Sequence, residues 1–275
     1  MVVERVWKKV KGWKKKFLST AGKEILIKAV AQAIPTYIMS CLKIPDSVCH
    51  EIESMLANFW WGARNGERKI HWMSWEKLSK AKGAGRLRFR GISEFNSCLL
   101  GKQYWRLLSQ ENSLVGKVFK GKYFPRGTIE DCALGYNPSY AWRSILGARE
   151  VVQRGSRWRI RNGNKVKILK DRWIPNNYGF KLLFGVEDVD DNARVCDLIN
   201  GDLAVWKEDV ISEKFSPEEA KRIVSIPLSR LPTEDKIIWH FEKNGEFSVK
   251  TTYHAARAHK ESLLPRPSIS PNQKL

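Results

Sequence analysis

The residues able to do chemistry in this 275-residue chain are few, and none falls at a working spacing. "GKVFKGKY", Gly116 to Tyr123, almost spells a phosphate-cradling loop. Such a loop needs a Ser or Thr after its lysine to hold Mg²⁺, and Tyr123 stands there instead. His254 and His259 are five residues apart, whereas two ligands on one helical face need a step of three or four. "VEDVDD" gathers Asp188, Asp190 and Asp191, but nothing else marks a metal site around them. No Gly-x-Ser-x-Gly elbow occurs. The cysteines, Cys41, Cys49, Cys98, Cys132 and Cys196, are odd in number, widely spaced and free of any Cys-x-x-Cys pair. That excludes a disulfide framework or a zinc module and fits a reducing intracellular compartment. These residues predict a binding protein with no catalytic residue, no metal site and no cofactor.

Charge is the stronger signal. Lys and Arg total 49 against 29 Asp and Glu, a formal net charge of +20. Such a chain repels itself and attracts polyanions, with nucleic acid first, an anionic membrane second and an acidic protein third. No apolar run reaches the length of a membrane span, and the N-terminus lacks the apolar core of a secretory signal. The basic candidates fall in two groups. Lys8, Lys9, Lys11, Lys14, Lys15, Lys16, Lys23 and Lys28 lie near the N-terminus, and Arg157, Arg159, Arg161, Lys165 and Lys167 lie in an alternating stretch. The first group also reads as a membrane-surface helix or a nuclear import signal, and a nuclear location is favoured over a cytoplasmic one.

The elements that carry these residues follow from periodicity. Val3, Val6, Val10, Trp13 and Phe17 share one helical face, with the lysines mostly elsewhere. Ser19 or Thr20 caps the next helix, whose stripe Gly22, Ile25, Leu26, Ala29, Val30 and Ala33 runs to Pro35. Asp46 or Ser47 caps a third helix with Val48, Ile52, Met55, Leu56, Phe59 and Trp60 inward and Gly62 as a left-handed stop. Loops follow through Asn65-Gly66 and Gly83-Ala84-Gly85, and Ser93 caps a helix carrying Leu99, Leu100 and Leu107. At "RWRIRNGNKVKIL" the period becomes two. A three-residue loop, Asn162 to Asn164, sets Ile160 opposite Val166 and Trp158 opposite Ile168, keeping one face apolar. Asn164 then takes the left-handed position. That register also sets Arg159 opposite Lys167 and Arg161 opposite Lys165, a repulsion that a bound phosphate would reverse. A second hairpin is expected in "DKIIWHFEKNGEFSVK", with Gly245 left-handed and Trp239 and Phe241 meeting Val249 and Phe247. Acid concentrates in 181–235, away from the basic N-terminal part. The expected fold is mainly α with two small β-hairpins, an α+β class.

Several stretches in one order resemble a known family. "GWKKKFLSTAGKEILIKAVAQAIPTYIMSCLKIP", "FWWG", "KIHWMSWEKLSKAKGAGRLRFRGISEFNSCLLGKQYWRL", "SYAWRSIL", "GSRWRIRNGNKVKILKDRWIP" and "EDKIIWHFEKNGEFSVKTTY" are similar to the segment past the polymerase palm in plant non-LTR (LINE-type) retrotransposon reverse transcriptases. The resemblance covers about residues 5–255. It implies a non-catalytic part of an RNA-directed DNA polymerase: a helical, thumb-like basic region over 1–115, then a post-thumb region over 116–260. The latter would hold hairpins near 157–169 and 236–250, and 261–275 would be a disordered tail. The family's palm lies upstream and its zinc-binding and RNase H parts downstream, so these would be partners alongside RNA and DNA. Asp190-Asp191 does not match the palm's aromatic-x-Asp-Asp motif, because Asp188 occupies the aromatic position. The family usually has a Gly-Gly-Leu-Gly-like run where this chain has Gly85-Arg86-Leu87-Arg88, and Gly where Arg161 stands. A thumb grips duplex by its backbone and needs lysines on one side and an apolar stripe on the other. The contrasting expectation is a helical interaction module whose basic face meets acidic proteins or anionic membrane.

Overall fold

A computed structural model describes residues 2–14, 18–62, 70–79, 87–183, 189–201, 203–229 and 233–262. The expectations for Lys15, Lys16, Phe17, the Asn65-Gly66 and Gly83-Ala84-Gly85 loops, Asp188 and most of the tail lie outside these residues, as does the side chain of Lys14. The chain divides into two compact units, Met1–Val151 with Thr252–Leu275, and Val152–Thr251.

The first unit is helical. Helix α1 (Val2–Lys14) buries Val6 and Val10 and half-buries Val3 and Trp13, as their spacing requires. Ser19 caps α2 (Thr20–Leu26) by accepting from the Gly22 amide at 3.2 Å. The helix widens into one π turn, Ile27–Ala31, whose Ile27 and Ala31 are buried, whereas Ile25, Ala29 and Ala33 of the expected stripe are exposed; Pro35 then ends it and α3 (Thr36–Met39) begins. Helix α4 (Asp46–Trp61) buries Ile52, Leu56 and Phe59 and stops at Gly62, whose φ of 80° is the left-handed cap expected there. Pro45, not Asp46 or Ser47, occupies its N-cap position, because the Asp46 carboxylate instead accepts from the Ser93 hydroxyl at 2.7 Å. That contact also removes Ser93 from capping, so α6 (Ile92–Ser109) starts after Gly91. Short α5 (Trp75–Leu78), then α7 (Leu114–Tyr123), α8 (Tyr140–Leu146) and α9 (Arg149–Gln153), follow the chain order around these. Buried Val6, Ile27, Met39, Ile52, Leu56, Leu78 and Phe89 belong to one core. Gly116 to Tyr123 winds inside α7, so the loop-like reading of that motif has no loop to rest on.

The second unit has two small antiparallel strand pairs. Strand β1 (Ser156–Arg159) pairs with β4 (Lys236–Trp239), setting Arg157 opposite Ile238 and Arg159 opposite Lys236. Strands β2 (Ile199–Asn200) and β3 (Val205–Trp206) form the other pair. Helices α10 (Glu208–Lys214) and α11 (Pro217–Val224) precede β4; α12 (Val249–Ser262) follows it in the chain and from Thr252 on belongs to the first unit. The chain is therefore mainly α with small β pairs, the α+β class read from the sequence.

The pairing partners differ from that reading. Ile160, Val166 and Ile168 are buried, as the alternation requires, but Ile160 does not face Val166 across a local hairpin. Asp235 is the reason. Its buried carboxylate accepts the amides of Arg161 (2.7 Å), Gly163 (3.0 Å) and Lys165 (3.1 Å), bending the chain away from β1. Gly163, not Asn164, takes the left-handed turn at φ 72°. A Cβ there would stand 2.4 Å from the Cys196 amide nitrogen, so glycine is required twice over. The next segment pairs with 193–195 instead, through Ile168 N to Ala193 O (3.0 Å) and Val195 N to Val166 O (2.9 Å).

The second hairpin closes only at its turn. Gly245 is left-handed at φ 76°, and the Trp239 amide donates to its carbonyl at 2.8 Å. Trp239 meets Phe247 with rings 4.8 Å apart, but Val249 has already entered α12, so no return strand forms. Helix propensity over "VKTTYHAARAHK" overrides the short alternation before it. Of the departures from glycine, Arg161 keeps an ordinary backbone, Arg88 is held left-handed at φ 56°, and Arg86 lies outside the described residues. A residue with a side chain pays about 1–2 kcal/mol for that conformation.

Candidate nucleic-acid interface

The basic candidates sort by what each ammonium or guanidinium already touches. On α1, burying Val6 and Val10 turns Lys8, Lys9 and Lys11 outward, all exposed. Lys8 pairs with Glu4 at 3.1 Å across one turn, both ends well solvated, a contact that a stronger anion displaces at little cost. Lys11 lies 4.4 Å over the centre of the half-exposed Trp7 ring. Lys23 and Lys28 serve the fold. Lys23 donates to the Trp60 carbonyl at 3.3 Å, where the dipole of α4 ends negative. Lys28 pairs with Glu24 one turn earlier and lies 5.9 Å from the Phe89 ring centre.

In the second unit the five candidates do not act alike. Lys165 carries its own carboxylate, Glu234, at 2.6 Å, and Lys167 donates to Asn192 at 3.2 Å. Arg161 contributes its amide to Asp235. Arg157 and Arg159 share one face of β1, because Trp158 between them points to the other. Neither meets a carboxylate among the described residues. The guanidinium of Arg157 is part-buried, and its Nε donates to His240 Nδ1 at 3.2 Å while Nη1 donates to the Trp158 carbonyl at 3.2 Å. Burial, and then Arg159 beside it, pushes the Arg157 guanidinium below its ordinary value. Burial, and then Arg157, pushes His240 down as well. His240 therefore stays neutral at pH 7, and because Nδ1 accepts, Nε2 holds the proton. Beside them, Lys236 is balanced by Glu246 at 3.0 Å.

Sequence reading missed Asp235 and His240. One acid and one histidine carry no local signal, since their partners lie 70 or more positions away in the chain. The acids around Asp190 are structural. Asp190 accepts the Asn192 amide at 2.7 Å in a turn, and Asp191 pairs with Lys170 at 2.8 Å, which holds its carboxyl below the usual range. Among the described residues no group of three or more His, Cys, Asp or Glu is placed to hold a metal ion. No described helix is long and apolar enough to cross a membrane.

No family model and no solved structure matches the chain. Two curated relatives do, both from Arabidopsis thaliana. A putative ribonuclease H protein, At1g65750, is 29% identical over 98% of this chain, which spans 44% of that protein's length. The uncharacterized mitochondrial protein AtMg00310 is 40% identical over 143 residues, 52% of this chain and 93% of the relative. With nearly the whole of that relative matched at this identity, the chain belongs to the family of the uncharacterized mitochondrial protein AtMg00310.

Proposed function

We propose that this chain is the thumb and post-thumb segment of a LINE-type reverse transcriptase and holds nucleic acid by its phosphate backbone, with no catalysis of its own. The carrying observation is α1, whose buried Val6 and Val10 anchor a solvated face bearing Lys8, Lys9 and Lys11. Arg157 and Arg159 add a second contact: a part-buried guanidinium without a carboxylate gains most from an incoming anion. Similarity along almost the whole chain to a protein named as a putative ribonuclease H supports a nucleic-acid setting. Lysines and arginines aimed at phosphates read no bases, so duplex, hybrid and single strand are held alike at micromolar order or weaker at physiological salt.

The test is the salt dependence of binding to a duplex, with log–log slope about −0.9 per phosphate contacted. Replacing Lys8, Lys9 and Lys11 by Gln is expected to flatten the slope by roughly two to three and to weaken all sequences equally. Arg157→Gln with Arg159→Gln is expected to remove roughly one to two more. Unchanged slopes in both variants would leave these faces as mere solvation and defeat the proposal.

A further inference from the structure

Helix α7 presents the opposite of what a nucleic-acid face needs. Its aromatic residues, the type on which bases stack, point inward: Tyr123 lies flat on Trp142 at 4.6 Å, and Phe119 sits 5.7 Å from the same ring. Gly116 seats this inner side so closely that a Cβ would stand 2.5 Å from the Glu111 carbonyl. Lys120, also on the inner side, is engaged by Glu111 at 2.8 Å. The outer side is aliphatic. Leu114 is 79% exposed and Val118 60%, one turn apart, with Val115 beside them. Gly121 continues the stripe one turn on with nothing near it. On a helical projection Lys117 lies on one side of Leu114 and Val118, and Lys122 on the other, between Val118 and Val115; both are exposed, and the Lys122 ammonium lies 5.3 Å from the Tyr123 ring centre. An apolar stripe between two cations, on a helix firmly held from behind, is the form of a docking ridge.

We infer that the outer face of α7 docks an amphipathic helix of a partner protein whose apolar stripe is flanked by glutamate or aspartate. The lysine flanks select acid, by the complementarity that sets partner choice at such interfaces. They also oppose a symmetric contact with the same face of a second copy, which would set the same lysines against each other. This inference stands apart from the phosphate-binding reading, because none of its residues belongs to the phosphate-contacting sets.

The test uses the full isotope-labelled chain and reads the backbone amides of residues 114–122 by NMR. The probes are a helix-forming peptide with leucines at i, i+3, i+4 and i+7 flanked by glutamates, and the same peptide with lysines for the glutamates. The acidic peptide is expected to shift these amides and to bind at least about tenfold more tightly than the basic one. Val118→Asp, an exposed site whose fold is checked by circular dichroism, is expected to cost about tenfold or more. Lys117→Glu with Lys122→Glu is expected to invert the preference between the two peptides. Equal binding of both peptides, or none at millimolar concentration, overturns the inference. So does a single-stranded oligonucleotide or a phosphatidylserine vesicle that shifts the same amides when the acidic peptide does not.

Discussion

Asp235 shows how much one side chain decides. It is 6% exposed, and its two oxygens take three amides from a five-residue bend. Amides donated to a carboxylate are among the stronger hydrogen bonds, and leaving them buried and unmade adds a desolvation cost. Asp235→Ala is expected to destabilise the second unit by about 2–4 kcal/mol. Asp235→Asn keeps one acceptor oxygen but aims an N–H group at a third donor, so it should fall between the two. Denaturant unfolding together with exchange of the 160–166 amides measures this. An alanine variant as stable as the parent would mean that water replaces the carboxylate at no cost. Such a residue is invisible in the sequence, where Asp235 is one acid in an acidic stretch. Gly163 is the legible half of the same contact, because Asn162-Gly163 already marks a turn.

At the scale of elements, β1 and β4 are held edge to edge by their ladder and, beyond it, by Arg157 on His240. This contact needs neutral histidine, since a protonated Nδ1 cannot accept. His240 is pushed below the ordinary histidine value of about 6.5. Between its folded value and that ordinary one, the unfolded chain binds more protons, so stability rises with pH there. The contribution is complete above the ordinary value and is lost as pH falls from it through the lower folded value. The opening free energy of the 236–239 amides, measured by hydrogen exchange, is expected to hold steady above pH 7.5 and decline on acidification through about 6.5. His240→Gln retains an acceptor for Arg157 and does not titrate, so its profile should be flatter over that window. An unchanged slope would assign the acid sensitivity elsewhere. Helices α1, α4 and α6 were legible because periodicity is local, while the caps expected at Asp46 or Ser47 and at Ser93 were lost to the contact between Asp46 and Ser93, and α12 stands where a return strand was expected. The strands were legible only as faces: alternation says which side is buried and not which strand lies alongside.

For the whole molecule, charge is the dominant property. A net charge of +20 attracts polyanions. Purified chain given primer–template, nucleotides and Mg²⁺ or Mn²⁺ is expected to show only background extension. Extension abolished by Asp190→Ala would overturn the non-catalytic reading. The contact of Asp190 with the Asn192 amide argues that its carboxylate is occupied in a turn.

Local sequence accounts for the α+β class, the inward faces of α1, α4 and α6, the left-handed backbone at Gly62 and Gly245, and the excess of positive charge, but not for the buried side of α2, where Ile25 is 64% exposed. Each rests on neighbours within a few residues, where spacing and backbone preference act directly. Tertiary structure alone decided that β1 joins β4, that Asp235 bends the segment after Ile160, and that Arg157 leans on a neutral histidine. It also decided which cations remain available: Lys165 and Lys28 are met by carboxylates, while Arg157 and Arg159 have none among the described residues. The physical reason is range. Composition fixes how many charges a chain carries, but whether a given one is compensated depends on partners that only folding brings within a few ångströms.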